Sequence, residues 1–150
     1  MKSASILMLS AVLALICPTL AFADSEPVGI IKSVTKETTV IRDGKTHIAT
    51  PGMKVLMGDL IKTGSGGSVG MIFEDDTVIS IGSRSEFTIK EYLFNPVENK
   101  LSFVARLIRG TLSYLSGQIA KLSPSSVRLE TPSATVGIRG THVLVKVEGD

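Results

Sequence analysis

The chain has 150 residues, and its 16 Lys and Arg against 14 Asp and Glu leave a net charge of only +2. Because nucleic-acid backbones are bound by clustered Lys and Arg, and the sequence contains no such cluster, this balance excludes a strongly basic nucleic-acid binder. From Asp24 onward, 37 of the 127 residues are Val, Ile or Thr, β-branched residues that pack well in a pleated sheet and favour an all-β fold.

The first 23 residues have the layout of a secretory signal peptide. Lys2 supplies the positive start, residues 6–16 form an apolar run, and the segment ends in the small-x-small cleavage pattern Ala21-Phe22-Ala23. The run is about half the length of a membrane-spanning helix, which needs about 20 residues. We therefore expect cleavage after Ala23 and an exported, periplasmic protein that has no transmembrane span after cleavage.

Two alternatives to cleavage follow from the same segment. Residues 6–23 could form an uncleaved anchor, although Pro18 opposes a continuous helix. Cys17, the only cysteine, could carry a lipid, but that modification needs a small residue before it and Ile16 stands there. Cleavage leaves residues 24–150 without disulfide or thiol chemistry, and this length fits one domain.

Beyond this leader, short apolar stretches are separated by turn residues, the pattern of an all-β fold. Asp43-Gly44 predicts a two-residue type I′ hairpin turn, residues 63–67 a glycine-rich hairpin loop, and residues 118–122 a single helical turn. The predicted strands are, in chain order, residues 28–34, 38–42, 45–49, 54–57, 60–62, 69–73, 78–81, 87–93, 101–108, 111–115, 127–130, 134–138 and 143–147.

The stretch from Leu101 to Leu115 fits two patterns. Alternate residues are apolar, as in a strand, but apolar residues also recur there at helical spacing. Because Gly110 interrupts a helix and the neighbouring segments are strands, we predict two strands, residues 101–108 and 111–115.

The histidines and the acidic turn lack the neighbouring residues that acid–base catalysis or metal binding requires. Acid–base work needs a His held by a carboxylate, and a metal site needs several converging ligands, but neither His47 nor His142 has a partner at a recognised spacing. Residues 74–76 (Glu-Asp-Asp), with Asp59, could offer oxygen atoms to calcium, yet the full calcium-loop spacing is missing. We therefore predict a solvated turn, no catalytic or metal-binding residue, no cofactor and no enzymatic activity.

Residues 131–141 form the most unusual segment, with a Pro-fixed turn, small residues and an Arg just before Gly and Thr. In one interpretation Arg139 is an exposed binding tip for an acidic partner. In the other, which we favour, the five donors of Arg139 bond loop carbonyls while Gly140 makes a tight turn.

These motifs together resemble the FecR domain, an exported bacterial β-rich module. Its typical signature is Gly-Asp-x-Ile-x-Thr-Gly, then an apolar strand with an Asp-rich turn, then Thr-Pro-x-Ala-x-x-x-x-Arg-Gly-Thr. The similarity covers about residues 28–148. The matching signature residues are Gly58, Asp59, Thr63, Gly64, Thr131, Pro132, Arg139, Gly140 and Thr141.

The resemblance implies a single, twisted, solenoid-like all-β domain over residues 24–150, whereas the strand pattern alone is equally typical of a β-sandwich. The best-known family members are sigma-factor regulators with a cytoplasmic segment and a membrane span, where this chain has only the predicted signal peptide. The resemblance therefore implies a free-standing periplasmic module that binds a protein or an envelope component, without catalytic residues. A glycan- or polymer-binding domain is the alternative function, and an envelope enzyme is a more distant one.

Overall fold

The computed structural model describes residues 25–149, so the predicted signal peptide and Cys17 lie outside the described residues. In this range the chain forms twelve strands, one short helix and a 3-10 turn at Pro124–Ser126. The strands and helix are β1 (Pro27–Thr35), β2 (Thr38–Arg42), β3 (Lys45–Ile48), β4 (Lys54–Leu56), β5 (Leu60–Thr63), β6 (Ser68–Phe73), β7 (Val78–Ile81), β8 (Glu86–Asn95), β9 (Lys100–Leu115), α1 (Gln118–Leu122), β10 (Val127–Glu130), β11 (Thr135–Gly137) and β12 (His142–Val147). The predicted all-β class is confirmed.

Local turn signals also lie where the sequence predicts them. Asp43 and Gly44 have φ angles of 49° and 74°, the two positive values that a type I′ turn requires, and they join β2 to β3 as a hairpin. The predicted helical turn is α1, with the same bounds.

The strands belong to one curled sheet, a half-barrel with two halves that share β9. One half runs β4-β1-β6-β7-β9-β12, and the other runs β3-β2-β5-β8-β9-β10-β11. The first part of β9 pairs with β8, and its last part pairs with β7. Described neighbours are antiparallel except β9 and β10. The sequence does not decide between a twisted solenoid and a sandwich. The structure has a continuous curled sheet around one core.

The two halves meet along a line of bends, which we call the corner. The corner consists of residues 36–37, 64–67, 82–85 and 110–111. Three backbone hydrogen bonds connect successive bends: Gly64 N–H to Glu37 O at 2.7 Å, Arg84 N–H to Gly64 O at 3.1 Å, and Gly82 N–H to Thr111 O at 3.0 Å. Each of these bends thus supports the next, and the strands change direction together.

Two predictions near the corner are wrong, for one physical reason. Residues 63–67 do not close a hairpin, because β5 pairs with β2 and β8 while β6 pairs with β1 and β7. The two predicted strands at 101–108 and 111–115 are one strand, β9, which bends at Gly110 with a φ of 99°. In both places the chain crosses the corner into the other half of the sheet. Glycine allows a sharp bend there, and the sequence pattern predicts the end of a strand at that glycine.

Both halves bury side chains in one hydrophobic core. Phe103 lies at its centre and makes edge-on contacts with Phe73 and Tyr114, at ring-centroid distances of 5.2 Å and 6.0 Å. Such aromatic pairs contribute about 0.5–1.5 kcal/mol each beyond their buried area. These three rings are buried, so they present no flat surface to a sugar.

Candidate binding site

The Gly58-Asp59 part of the signature holds the turn before β5 against β2. The buried Asp59 carboxylate accepts hydrogen bonds from Arg42 Nε at 2.8 Å, from Arg42 Nη2 at 2.7 Å and from the Leu56 N–H at 2.9 Å. Gly58 lies in the turn with a φ of 88°, which glycine adopts without strain. The hydrogen bond to Asp59 raises the pKa of Arg42 above its ordinary value, so Arg42 stays charged. This part of the signature is structural.

Thr63 and Gly64 connect strands at the corner. Thr63 Oγ1 donates to Gly82 O at 2.6 Å and accepts from the Ser85 N–H at 2.9 Å. A Cβ atom at Gly64 would lie 2.8 Å from the Glu37 carboxylate, so a larger residue does not fit without a shift of that side chain. These contacts give both residues a structural role as well.

The acidic turn between β6 and β7 differs from the solvated turn that we predict. Asp75 is fully buried, and its carboxylate accepts from the Thr77 N–H and Oγ1, from the Tyr92 hydroxyl and from the Ile119 N–H at the start of α1. Desolvation by burial, followed by the nearby Asp75 charge, raises the pKa of Tyr92 far above its usual value. The Tyr92 hydroxyl therefore remains a donor, and Asp75 has protein donors in place of water.

The remaining acids and the histidines do not assemble a reactive group. Glu74 and Asp76 are exposed, as is His47 on β3. His142 is also exposed, and its Nε2 lies 2.8 Å from Ser113 Oγ. Among residues 25–149, no group of three or more His, Cys, Asp or Glu side chains is placed to hold a metal ion.

The second part of the signature begins with a tight turn between β10 and β11. The Thr131 N–H donates to Ala134 O at 2.8 Å, and Thr131 Oγ1 accepts from the Ala134 N–H at 3.1 Å. Pro132 lies inside this turn, where its fixed φ restricts the chain. Thr131 and Pro132 therefore shape the hairpin, and the next strand, β11, is exposed along its length.

The segment that follows β11 is anchored on both sides of one exposed residue. Ile138 is buried and packs in the core. Ser116 contacts the other side: its hydroxyl donates to Gly140 O, and its N–H donates to Thr141 O at 2.9 Å. Gly140 has a φ of 131°, so the positive φ expected for a tight turn is present.

Arg139, between these anchors, lacks the bonds to loop carbonyls that we favour from the sequence. Its side chain is exposed, and within residues 25–149 its guanidinium donates no hydrogen bond and makes no ion pair. The neighbouring carbonyls of Gly140 and Thr141 are bonded by Ser116 instead. Arg139 is thus held out on a fixed main chain with its donors free.

Comparison with known proteins decides the family. The family model described as FecR protein matches residues 59–150. The chain belongs to this FecR family. FecR domains are typically periplasmic, and the family suggests a signalling or regulatory domain that is not an enzyme. Neither the curated proteins nor the solved structures include a significant match.

The matched region and the folded sheet have different limits. The match begins at Asp59, yet β1 pairs with β6 and β2 pairs with β5, so the strands before Asp59 belong to the same sheet. No helix within residues 25–149 is long and apolar enough to cross a membrane. Sequence reasoning missed Arg42 and Tyr92, the half-buried partners of the buried Asp59 and Asp75, because each lies 17 residues away from its acid on another strand.

Proposed function

We propose that this chain is an exported, non-catalytic FecR protein that binds another protein of the bacterial envelope. In this proposal residues 1–23 are a cleaved signal peptide and residues 24–150 are the working domain. Family membership supports a regulatory domain in the periplasm. The interaction itself is our proposal, and residues 131–141 are its binding segment.

One observation carries this assignment: an Arg without described partners stands on an anchored turn of the family signature. Burial of Ile138 and the two bonds from Ser116 fix the main chain on either side of Arg139. A ligand can therefore bond to the donors of Arg139 without breaking a hydrogen bond within the described residues. Preorganisation of this kind lowers the entropy lost on binding.

The chemistry of Arg139 defines the kind of partner. A guanidinium presents a planar fork of N–H donors that fits a carboxylate with two parallel hydrogen bonds. β11, beside it in the chain, is exposed along its length. We therefore expect an acidic segment of a partner protein to bind here, with its carboxylate on Arg139.

Arg139→Ala and Arg139→Lys test the proposal through two separate measurements. Because Arg139 is exposed and bonds to no group within residues 25–149, both variants should melt like the parent, within about 0.5 kcal/mol of its stability. Both should lose the partner that the parent captures from envelope extract, because an ammonium lacks the planar fork.

The matched control is Arg106→Ala. Arg106 is also exposed and lies on β9, outside the proposed binding segment, and its removal should leave both melting and capture unchanged. A lower melting temperature for Arg139→Ala would restore the structural role. Equal capture by Arg139→Ala and the parent, or retention on insoluble peptidoglycan instead of capture of a protein, would contradict the binding segment.

Export is tested by the intact mass of the protein recovered from the periplasm. The expected mass corresponds to a chain that begins at Asp24. A species that retains Met1, or one that carries a lipid on Cys17, would contradict the proposed processing.

A further inference from the structure

The last strand leaves an edge of the curled sheet open. β12 pairs with β9 and with no other described strand. The Ser116 N–H donates to Thr141 O across this pair, and bonding residues alternate along an antiparallel ladder. The odd-numbered residues of β12 therefore bond to β9, and the main-chain groups of His142, Leu144 and Lys146 point to the open side. Such an edge is a template for another strand.

β12 is better suited to pairing than the other open edges of the described sheet. β3 has four residues, all exposed, and begins with Lys45. β4 and β11 have only three residues each, and short or charged edges discourage pairing. β12 has six residues in an unbroken register with β9.

The inner face of β12 is apolar and only partly covered, and its outer face carries one exposed leucine between His142 and Lys146. Val143, Val145 and Val147 pack against the core but remain half-buried. On the outer face Leu144 is 75% exposed and borders a shallow groove of about 460 Å³ between β7, β9 and β12. A strand added at this edge would cover apolar side chains on both faces at once.

We infer that β12 pairs antiparallel with β12 of a second copy of this chain, with Val145 facing itself across a two-fold axis. This register places Val143 opposite Val147 of the second copy, so the two open cores join. On the outer face it places Leu144 against the aliphatic stem of Lys146, and His142 against the carboxylate of Glu148. The strand is thus complementary to itself, as a two-fold interface requires.

The charges of β12 select this register over its neighbour. A register centred on Leu144 places His142 opposite Lys146 of the second copy and Glu148 opposite Gly140, so that no carboxylate faces a basic side chain. One centred on Lys146 places the two ammonium groups opposite each other. Like charges directly opposite destabilise a strand pair, so the register centred on Val145 is the one that the sequence favours.

The inference is tested by sedimentation equilibrium. The protein is purified from cells that express the full chain. We expect a monomer–dimer equilibrium that depends on protein concentration. Leu144→Lys should weaken the dimer at least about tenfold, because the new lysine of each copy then faces Lys146 of the other copy. The double variant Leu144→Lys, Lys146→Glu should recover the dimer, since each new Lys then faces a Glu.

The matched control is Ile48→Lys, which changes an equally exposed apolar residue, 78% exposed, on the edge strand β3. It should leave the mass unchanged, and at concentrations where the parent is monomeric all variants should melt like the parent, because the changed side chains are exposed. Hydrogen exchange supplies a second measurement: the amides of His142, Leu144 and Lys146 should become protected as concentration rises.

A monomeric mass at every concentration overturns the inference, as does a dimer that Leu144→Lys leaves intact. Arg139→Ala should not change the mass, because Arg139 lies outside β12. Loss of the dimer and loss of the envelope partner are therefore separate outcomes, and either proposal can fail alone.

Discussion

The buried Asp75 carboxylate connects several parts of the fold through hydrogen bonds. A buried carboxylate is costly unless several donors face it, and the donors of Asp75 come from three different parts of the chain. Thr77 lies in the same turn, Tyr92 lies on β8, and Ile119 lies at the start of α1. One side chain therefore joins the β6–β7 turn, a strand of the other half of the sheet and the helix.

Asp75→Asn should destabilise the protein by about 2–3 kcal/mol. The carboxamide has a single acceptor oxygen, and its NH₂ group must face donors that the carboxylate now satisfies, so buried N–H or O–H groups lose their partner. The free energy of unfolding from urea denaturation measures this loss.

Asp76→Asn is the control for that change. Asp76 is next in sequence and exposed, and Asn tolerates its positive φ of 66°. Its stability should stay within about 0.5 kcal/mol of the parent. Equal stability of both variants would mean that the bonds to Asp75 contribute nothing to the fold.

The sequence predicts the role of a residue correctly where that role depends on residues nearby in the chain. It fails where the role depends on which strands pair and in which register. The Gly58-Asp59 signature marks a structural turn, but its partner Arg42 is set by the pairing of β2 with β5. For Arg139, sequence reasoning favours loop carbonyls as partners. The structure gives those carbonyls to Ser116, which is 24 residues from Gly140. No spacing in the sequence encodes that contact.

At the scale of elements, the corner is the feature that distinguishes this sheet from a set of hairpins. Gly110 lets β9 turn sharply and continue, so one strand serves both halves of the sheet. Ser85, from the β7–β8 bend, packs directly on it and accepts a hydrogen bond from the Thr111 N–H at 3.1 Å. The corner therefore depends on a close approach that admits no side chain at position 110.

Gly110→Ala should cost about 3 kcal/mol or more. Its Cβ would lie 2.5 Å from Ser85 Cα, in addition to the strain of an L-residue at a φ of 99°. Gly52→Ala separates the two effects, because Gly52 has a φ of 89° but open space around the added Cβ. That variant should cost only about 1 kcal/mol. Equal losses in thermal melts would show that strain alone, and not packing at the corner, limits position 110.

Element positions follow from the sequence far better than element connections do. Alternating apolar residues and turn residues predict the β2–β3 hairpin and α1 with nearly the observed bounds. The same turn residues mislead at 63–67, where a glycine-rich stretch carries the chain across the corner and closes no hairpin. Whether a glycine ends a strand or bends it depends on neighbours that lie far away in the chain.

At the scale of the whole molecule, the strands before Asp59 complete the fold that the family match begins. The match starts at Asp59, but the first four strands provide core side chains, among them Val28, Ile31, Val40 and Val55. They also cover the edges of β5 and β6. Arg42, the partner of the first matched residue, lies among them.

A chain that begins at Asp59 should therefore not fold cooperatively. It would leave β5 and β6 as open edges, expose their inward side chains and leave Asp59 without Arg42. Circular dichroism during urea denaturation measures this, with a chain that begins at Ser25 as the control. The control should unfold in one sharp transition, and the shorter chain should show none. A sharp transition for the shorter chain would mean that the matched region is a self-sufficient domain and that β1 to β4 only cover its side.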